Sequence, residues 1–205
     1  LGQLVGGGMG MPRFEAAEVG NLELVWLIPL ALVGTVCGWL FFVSEHASEA
    51  LAHAIGARPV VKAMLAGLAL AICGTVLPYT MFAGETQADV LMETYLTIPA
   101  GVLIATGLVK AMLTPALINL GWRGGHFFPV IFSGVSLGYG LAILTGADPV
   151  FCVAVCTAST MGAVMRQPVM VVGLLLMCFP LKGIVCMIIA AVIAAGIPLP
   201  KPLRK

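Results

Sequence analysis

The segment Gly124-Gly125-His126-Phe127-Phe128-Pro129 combines residue types that suit the binding of an anion, and it lies between two apolar runs. Its two glycines allow a tight turn, and Pro129 suits the first turn of a following helix. The first N–H groups of a helix have no intrahelical partner and carry the positive end of the helix dipole, so they can coordinate an anion. Neutral donors also release an anion readily, as conduction requires. From the residues alone, an ordinary turn between membrane helices remains an alternative.

Two basic residues lie within or beside apolar segments. Lys110 interrupts an apolar run, where a charged side chain costs about 2.5–3.5 kcal/mol to insert, so we expect it to have a partner or water. It either faces a watery vestibule, or it extends its amine to the membrane surface or caps a backbone carbonyl. Arg166 precedes Pro168 between two predicted helices. Its guanidinium either satisfies carbonyls at a helix end or attracts anions to the entrance of a pathway.

Other polar residues favour solvated ends of elements over catalytic or metal sites. On one predicted helix, the spacing of His46, Glu49 and His53 puts possible ligands on one face, with Glu45 nearby, but no second cluster accompanies them. We therefore interpret them as a solvated helix end and predict no metal site. A second polar stretch contains Glu85, Asp89 and Glu93, and we interpret it as a solvated acidic turn. No paired carboxylates occur at membrane depth, so no enzyme is predicted, and no cofactor is expected.

Composition places these residues in a membrane. Of the 205 residues, 60% are hydrophobic and 9% are charged, against roughly 25% charged in a soluble domain. Leu24–Ser44 and Ala63–Gly84 are charge-free and long enough for the roughly 20 residues that span a bilayer. The net charge of +1 and the lack of a basic stripe argue against nucleic-acid binding. The six cysteines show no C-x-x-C pair and are predicted to be buried free thiols.

Apolar runs and breakers predict the elements that position the motif. Residues 1–20 form a Gly-rich connector. The predicted helices are Leu22–Ala54, Val60 to about Pro78, Pro99–Asn119, Phe127–Leu144, Pro149–Met165, Pro168–Phe179 and Leu181–Ile197. Several are too short to span, since Pro168–Phe179 covers about 18 Å against a hydrocarbon core of about 30 Å. Broken backbone at membrane depth is tolerated where it lines a watery cavity, so short helices indicate a transport pathway.

Three features resemble the CLC family of chloride channels and chloride–proton antiporters. Gly125-His126-Phe127-Phe128-Pro129 matches the family's G-x-F-x-P anion-binding motif, and it follows a helix with one buried basic residue, Lys110. Gly162-Ala163-Val164-Met165-Arg166-Gln167-Pro168 resembles the family's small-residue, Arg, x, Pro junction. Pro200-Lys201-Pro202-Leu203 resembles the approach to its last helix. The resemblance covers roughly residues 21–203.

The resemblance implies an all-α integral membrane fold, a bundle of tilted, broken and short helices. Residues 21–205 would form the second, C-terminal half of a CLC membrane domain, one of two inverted halves, and would lack the last helix. The missing N-terminal half would hold the gating and proton-path glutamates, so channel and exchanger are not distinguished. The family's pore tyrosine would follow Leu203, where this sequence has Arg204 and Lys205.

By the same resemblance, the N–H groups of His126, Phe127 and Phe128 would bind chloride or a related small anion, with Gly125 and Pro129 shaping the loop. The His126 side chain would titrate in the pathway or, alternatively, pack locally. The two last helices would contribute to a homodimer. A non-transporting membrane scaffold that keeps the fold without the pathway is the competing hypothesis. We expect a plasma (inner) membrane location and, from Lys201, Arg204 and Lys205, a cytoplasmic C-terminus.

Overall fold

The computed structural model describes residues 13–81, 83–200 and 203, so Lys201, Arg204 and Lys205 and most of the predicted connector lie outside the described residues. Within those ranges the chain forms eight α-helices and two short 3-10 turns, Pro78–Thr80 and Tyr95–Thr97. The helices are α1 (Asn21–Ile55), α2 (Pro59–Val76), α3 (Glu85–Thr94), α4 (Ala100–Asn119), α5 (Phe127–Thr145), α6 (Pro149–Met165), α7 (Pro168–Leu175) and α8 (Ile184–Gly196). No strand occurs in these ranges.

Four of the described helices, α1, α2, α4 and α5, are long and apolar enough to cross a membrane. The predicted boundaries of α1, α4, α5 and α6 agree with the structure to within one or two residues. The boundaries are well marked because α4 and α6 begin beside prolines, and Gly56 and Gly146, both at positive φ, follow the ends of α1 and α5.

The helix α6 forms the centre of the bundle and packs against α1, α5 and α8. Its start is fixed by Asp148, whose carboxylate accepts the N–H of Phe151 at 2.7 Å. Small residues let its neighbours approach closely. A Cβ atom added at Gly38 of α1 would lie 3.0 Å from the Thr160 carbonyl oxygen, and one at Gly162 would lie 2.7 Å from the Ala191 carbonyl oxygen. Gly38 and Gly162 therefore allow close contact between helices.

The region around α7 and α8 departs from the prediction. We predicted Pro168–Phe179, but α7 ends at Leu175. The chain tightens there into turns, in which the N–H groups of Met177 and Cys178 donate to the carbonyls three residues earlier, at 3.1 Å and 2.9 Å. We predicted Leu181 as the start of the next helix, but α8 begins at Ile184. The reason is Gly183, whose φ of 93° precedes the first turn.

Two further predictions need correction. The stretch with Glu85, Asp89 and Glu93 is the helix α3 rather than a turn, capped by Gly84 at a φ of 106°. Five of the six free cysteines are buried as predicted, but Cys73 on α2 is partly exposed because α2 packs loosely on the rest of the chain.

The described part of the predicted connector, residues 13–20, has no helix but is docked on the bundle. The Phe14 N–H donates to the Cys178 carbonyl at 2.9 Å, and the Phe14 ring stacks on Phe179 with centroids 4.4 Å apart. This contact holds the segment before α1 against the turn between α7 and α8.

Candidate anion site

The backbone breaks between α4 and α5, where the sequence motif lies. The last turn of α4 closes with bonds from the N–H groups of Leu120 and Gly121 to carbonyls of the helix, and Gly121 has a φ of 99°. Residues 122–125 then run without helix to His126, the N-cap of α5. The predicted helix start at Phe127 is therefore present in the structure.

The N-terminus of α5 presents unused hydrogen-bond donors. The first helical bond of α5 runs from the Val130 N–H to the His126 carbonyl at 3.1 Å. Within the ranges that the structure describes, the N–H groups of His126, Phe127 and Phe128 donate to no protein acceptor. Pro129 has no N–H to offer. These donors sit at the positive end of the 19-residue helix, which is the arrangement that stabilises a bound anion.

The tight turn that we predicted at Gly124 and Gly125 is not made there. Neither has a positive φ, and a Cβ atom added at either would meet no described atom within 4 Å. The turn is instead made at Gly121. Neither backbone geometry nor packing in the described chain demands glycine at 124 and 125, and without side chains the backbone there is left uncovered.

A cavity of about 270 Å³ adjoins this loop. Its lining residues are Leu70, Ala83, Lys110, Thr114, Leu117, Ile118, Trp122, Arg123, Gly124, Gly125 and Pro129. The cavity thus brings together α2, α4 and the loop that leads to α5. Two of the predicted site residues, Gly125 and Pro129, lie on its wall together with Lys110.

Lys110 makes the carbonyl contact that was one of its predicted alternatives, and it also borders a cavity. Its side chain is only 4% exposed, and its Nζ donates to the Thr80 carbonyl at 2.7 Å. The residue also lines the cavity beside the motif. This bond fixes the position of the amine.

His126 packs against the bundle through its ring. The His126 and Phe41 ring centroids are 5.9 Å apart with the planes at 60°. Phe41 is buried on α1, whereas His126 is exposed. The contact orients the N-cap residue of α5 and matches the packing alternative considered for this side chain.

Arg166 lies away from the cavity, at the junction between α6 and α7. Its Nη1 donates to the carbonyls of Ala195 at 2.9 Å and Ile197 at 2.5 Å, which are at the C-terminal end of α8. Arg166 has a φ of 57°, the left-handed conformation that ends α6. The structure therefore shows the carbonyl contacts predicted for its guanidinium, and it does not bring Arg166 together with the motif.

The sequence analysis overlooked Arg123 and Trp122. Both line the cavity directly before Gly124, and both side chains are exposed. The sequence did contain a signal for Arg123. It is a basic residue four positions before Phe127, the predicted helix start, in a loop otherwise made mainly of glycines and aromatic residues.

The sequence model of the family described as voltage gated chloride channel matches residues 3–198. The chain belongs to this family. It is therefore an integral membrane protein with the fold of the CLC transporters, as predicted. A search of curated proteins gives no match.

Among solved structures, the chain is similar to one described as a CLC-type fluoride/proton antiporter. The TM-score is 0.77 at 21% identity, and the match covers 99% of this chain and 52% of that chain. The chain thus spans about half the length of the antiporter. At this sequence identity, the similarity shows a shared fold.

Proposed function

We propose that the chain forms one half of a membrane pathway for chloride or a related small anion, in a channel or a proton-coupled exchanger. The observation that supports this most directly is the N-terminus of α5. Three consecutive N–H groups, those of His126, Phe127 and Phe128, are without an acceptor in the described chain at a helix break. Backbone donors of this kind bind an anion and still release it.

Electrostatics and access support the same assignment. The donors follow a loop whose glycines leave open space, and the loop borders a cavity that contains Lys110. A buried cation near the pathway lowers the free energy of an anion there, because interactions in a low-dielectric interior are weakly screened. By family membership, a second half would complete the pathway.

The proposed assembly is a homodimer that uses α7 and α8. Val169 on α7 is 86% exposed and Val185 on α8 is 62% exposed. A groove of about 190 Å³ between the two helices is lined by Pro168, Val169, Val172, Ile188 and Val192. These apolar side chains suit contact with a second copy within a plasma (inner) membrane.

The test removes one donor without changing a side chain. In the full-length protein, Phe127 is replaced by its α-hydroxy acid, which converts the N–H into an ester oxygen. The matched control is the same replacement at Val135, whose N–H lies within the regular part of α5. Anion flux from liposomes is measured as a function of chloride concentration for both variants.

We expect the half-saturating chloride concentration to rise by about tenfold for the Phe127 ester, since a hydrogen bond to an ion contributes more than a neutral one. The Val135 ester should leave it unchanged. An unchanged value for the Phe127 ester would contradict the proposed site. A folded, dimeric protein that carries no anion at all would instead favour the membrane scaffold.

A further inference from the structure

A second cavity, of about 400 Å³, lies between the segment before α1 and the helices α3, α5 and α6. Its lining residues are Arg13, Phe14, Glu15, Met92, Tyr95, Tyr139, Pro149 and Val150. It shares no lining residue with the cavity before α5. Its volume falls in the range of about 300–1,000 Å³ in which sites for small molecules occur. The second cavity is therefore large enough for a ligand and is separate from the candidate anion site.

Two stacked tyrosines form the inner wall of the second cavity. The ring centroids of Tyr95 and Tyr139 are 4.5 Å apart, with an angle of 22° between the planes. Tyr139 is only 3% exposed, and its hydroxyl forms no hydrogen bond with the part of the chain that the structure describes. A buried phenol normally has a partner for its hydroxyl group. The hydroxyl of Tyr139 is therefore available to a ligand in the cavity that this residue lines.

The mouth of the second cavity carries one charge of each sign. Arg13 and Glu15 both line it, and both side chains are exposed. Neither forms a hydrogen bond or an ion pair with another described residue. The lining thus has a formal charge of zero and offers a cation and an anion to the same ligand. Such a pair suits a zwitterion better than an ion of a single charge.

The residues that flank the lining residues in sequence add negative charge but no positive charge. Asp148 directly precedes Pro149, and Glu93 directly follows Met92. This excess of carboxylates disfavours an anionic ligand and favours an amine. The faces of tyrosine rings also attract a cationic amine. The amine end of a zwitterion would therefore lie on the tyrosine side of the cavity.

The surroundings of the second cavity are typical of the edge of a membrane. Leu96, next to Tyr95, is 74% exposed, and Leu144, in the last turn of α5, is 65% exposed. Charged residues and tyrosines lie beside this apolar surface, and tyrosines are enriched where a membrane meets water. The cavity is thus placed at the level of the lipid headgroups.

We propose that the second cavity binds the headgroup of a zwitterionic phospholipid. Its amine would contact Tyr139 and Glu15, its phosphate would contact Arg13, and its acyl chains would run along the adjacent apolar surface. Arg13 and Glu15 belong to the segment before α1, so the lipid holds this segment against α3, α5 and α6. The same segment stacks on Phe179 through Phe14, so the lipid also stabilises its contact with the turn between α7 and α8. The inference does not depend on anion transport.

Native mass spectrometry of the purified full-length protein in detergent tests the proposal. The protein is titrated with phosphatidylethanolamine and, for comparison, with anionic phosphatidylglycerol that has the same acyl chains. The variants are Arg13→Gln, Glu15→Gln and Tyr139→Phe. The matched controls are Glu18→Gln, an exposed carboxylate on the same segment, and Tyr79→Phe, and neither of these residues lines the second cavity.

We expect each chain to bind one phosphatidylethanolamine in preference to phosphatidylglycerol. Tyr139→Phe keeps the ring and should weaken this binding by about threefold to tenfold, because one hydrogen bond is lost. Arg13→Gln and Glu15→Gln should each weaken it by about twofold to fivefold, since exposed ionic contacts are screened by water. Glu15→Gln should also reduce the preference over phosphatidylglycerol. Both controls should match the parent.

Thermal unfolding in detergent provides a second measurement. Tyr139→Phe should unfold at the temperature of the parent when no lipid is added, because the volume of the ring is kept. Phosphatidylethanolamine should raise the unfolding temperature of the parent more than that of Tyr139→Phe. Equal rises in the two proteins would contradict binding in this cavity.

Two other results would overturn the proposal. The first is equal affinity for the two lipids in the parent together with unchanged binding in all three cavity variants, which would indicate lipid attached without a specific site. The second concerns soluble glycerophosphoethanolamine, which has the headgroup but no acyl chains. We expect it not to displace the lipid when both are present at the same concentration. Displacement would show that a soluble phosphoamine, rather than a membrane lipid, is the ligand.

Discussion

Glycines occur both in the α5–α6 contact and in the loop before α5, but only those in the helix contact are required by packing within the described chain. In the α5–α6 contact, a Cβ atom added at Gly134 would lie 2.9 Å from the Thr157 backbone nitrogen and would overlap the Thr157 Cα. In the loop, a Cβ atom at Gly124 or Gly125 would meet no described atom within 4 Å. Protein packing therefore explains the first glycine, and open space surrounds the other two.

The difference separates a rigid support from a surface that is available to a ligand. The middle of α5 is buried against α6, so the helix is held along most of its length. Its first turn is only partly buried and presents free N–H groups. A fixed helix with an open N-terminus keeps the donors in place without reorganisation, which favours reversible anion binding.

The largest expected effect comes from filling the packed contact. Gly134→Val would place three carbons against the backbone of Thr157, and overpacking of this kind costs on the order of 3 kcal/mol. We expect poor recovery of monodisperse protein and a markedly lower thermal unfolding temperature, measured by size-exclusion chromatography of heated samples in detergent.

The control is Gly124→Val, which adds the same atoms where the described chain leaves open space. It should be recovered like the parent. If both variants lose the same amount of monodisperse protein, the α5–α6 contact is not the cause. Added volume at any glycine near α5 would then be enough to impair folding.

A smaller effect is expected at the carbonyl contacts of Arg166. Arg166→Met keeps the apolar stem but removes the donors to Ala195 and Ile197, which should cost about 1 kcal/mol because partly buried acceptors lose their partner. Arg166→Lys, which retains one donating group, should lose less. A lowered unfolding temperature with an unchanged half-saturating chloride concentration fits a structural residue. A raised half-saturating concentration at unchanged stability would instead support the role in anion attraction.

The sequence predicted the long helices and the start of α5 well, because apolar length and the Gly-to-Pro129 pattern are local signals. It predicted the end of α7 and the start of α8 poorly, since α7 gives way to turns after Leu175 and α8 starts only after Gly183, which has a φ of 93°. The cavity was not predictable. Thr80, Lys110 and Arg123 are distant in sequence, and only the packing of the 3-10 turn against α4 brings the Thr80 carbonyl to the amine of Lys110.

The smallest expected change in stability is at the open loop itself. Gly125→Ala adds one methyl group that meets no described atom, so the free energy of unfolding should change by less than about 0.5 kcal/mol. The methyl group would nevertheless occupy open space on the loop that leads to α5, where it would hinder the approach of an anion. We therefore expect a severalfold rise in the half-saturating chloride concentration with normal thermal unfolding. If the variant is as unstable as Gly134→Val, another part of the full-length protein fills this space, and the glycine serves packing in both regions after all.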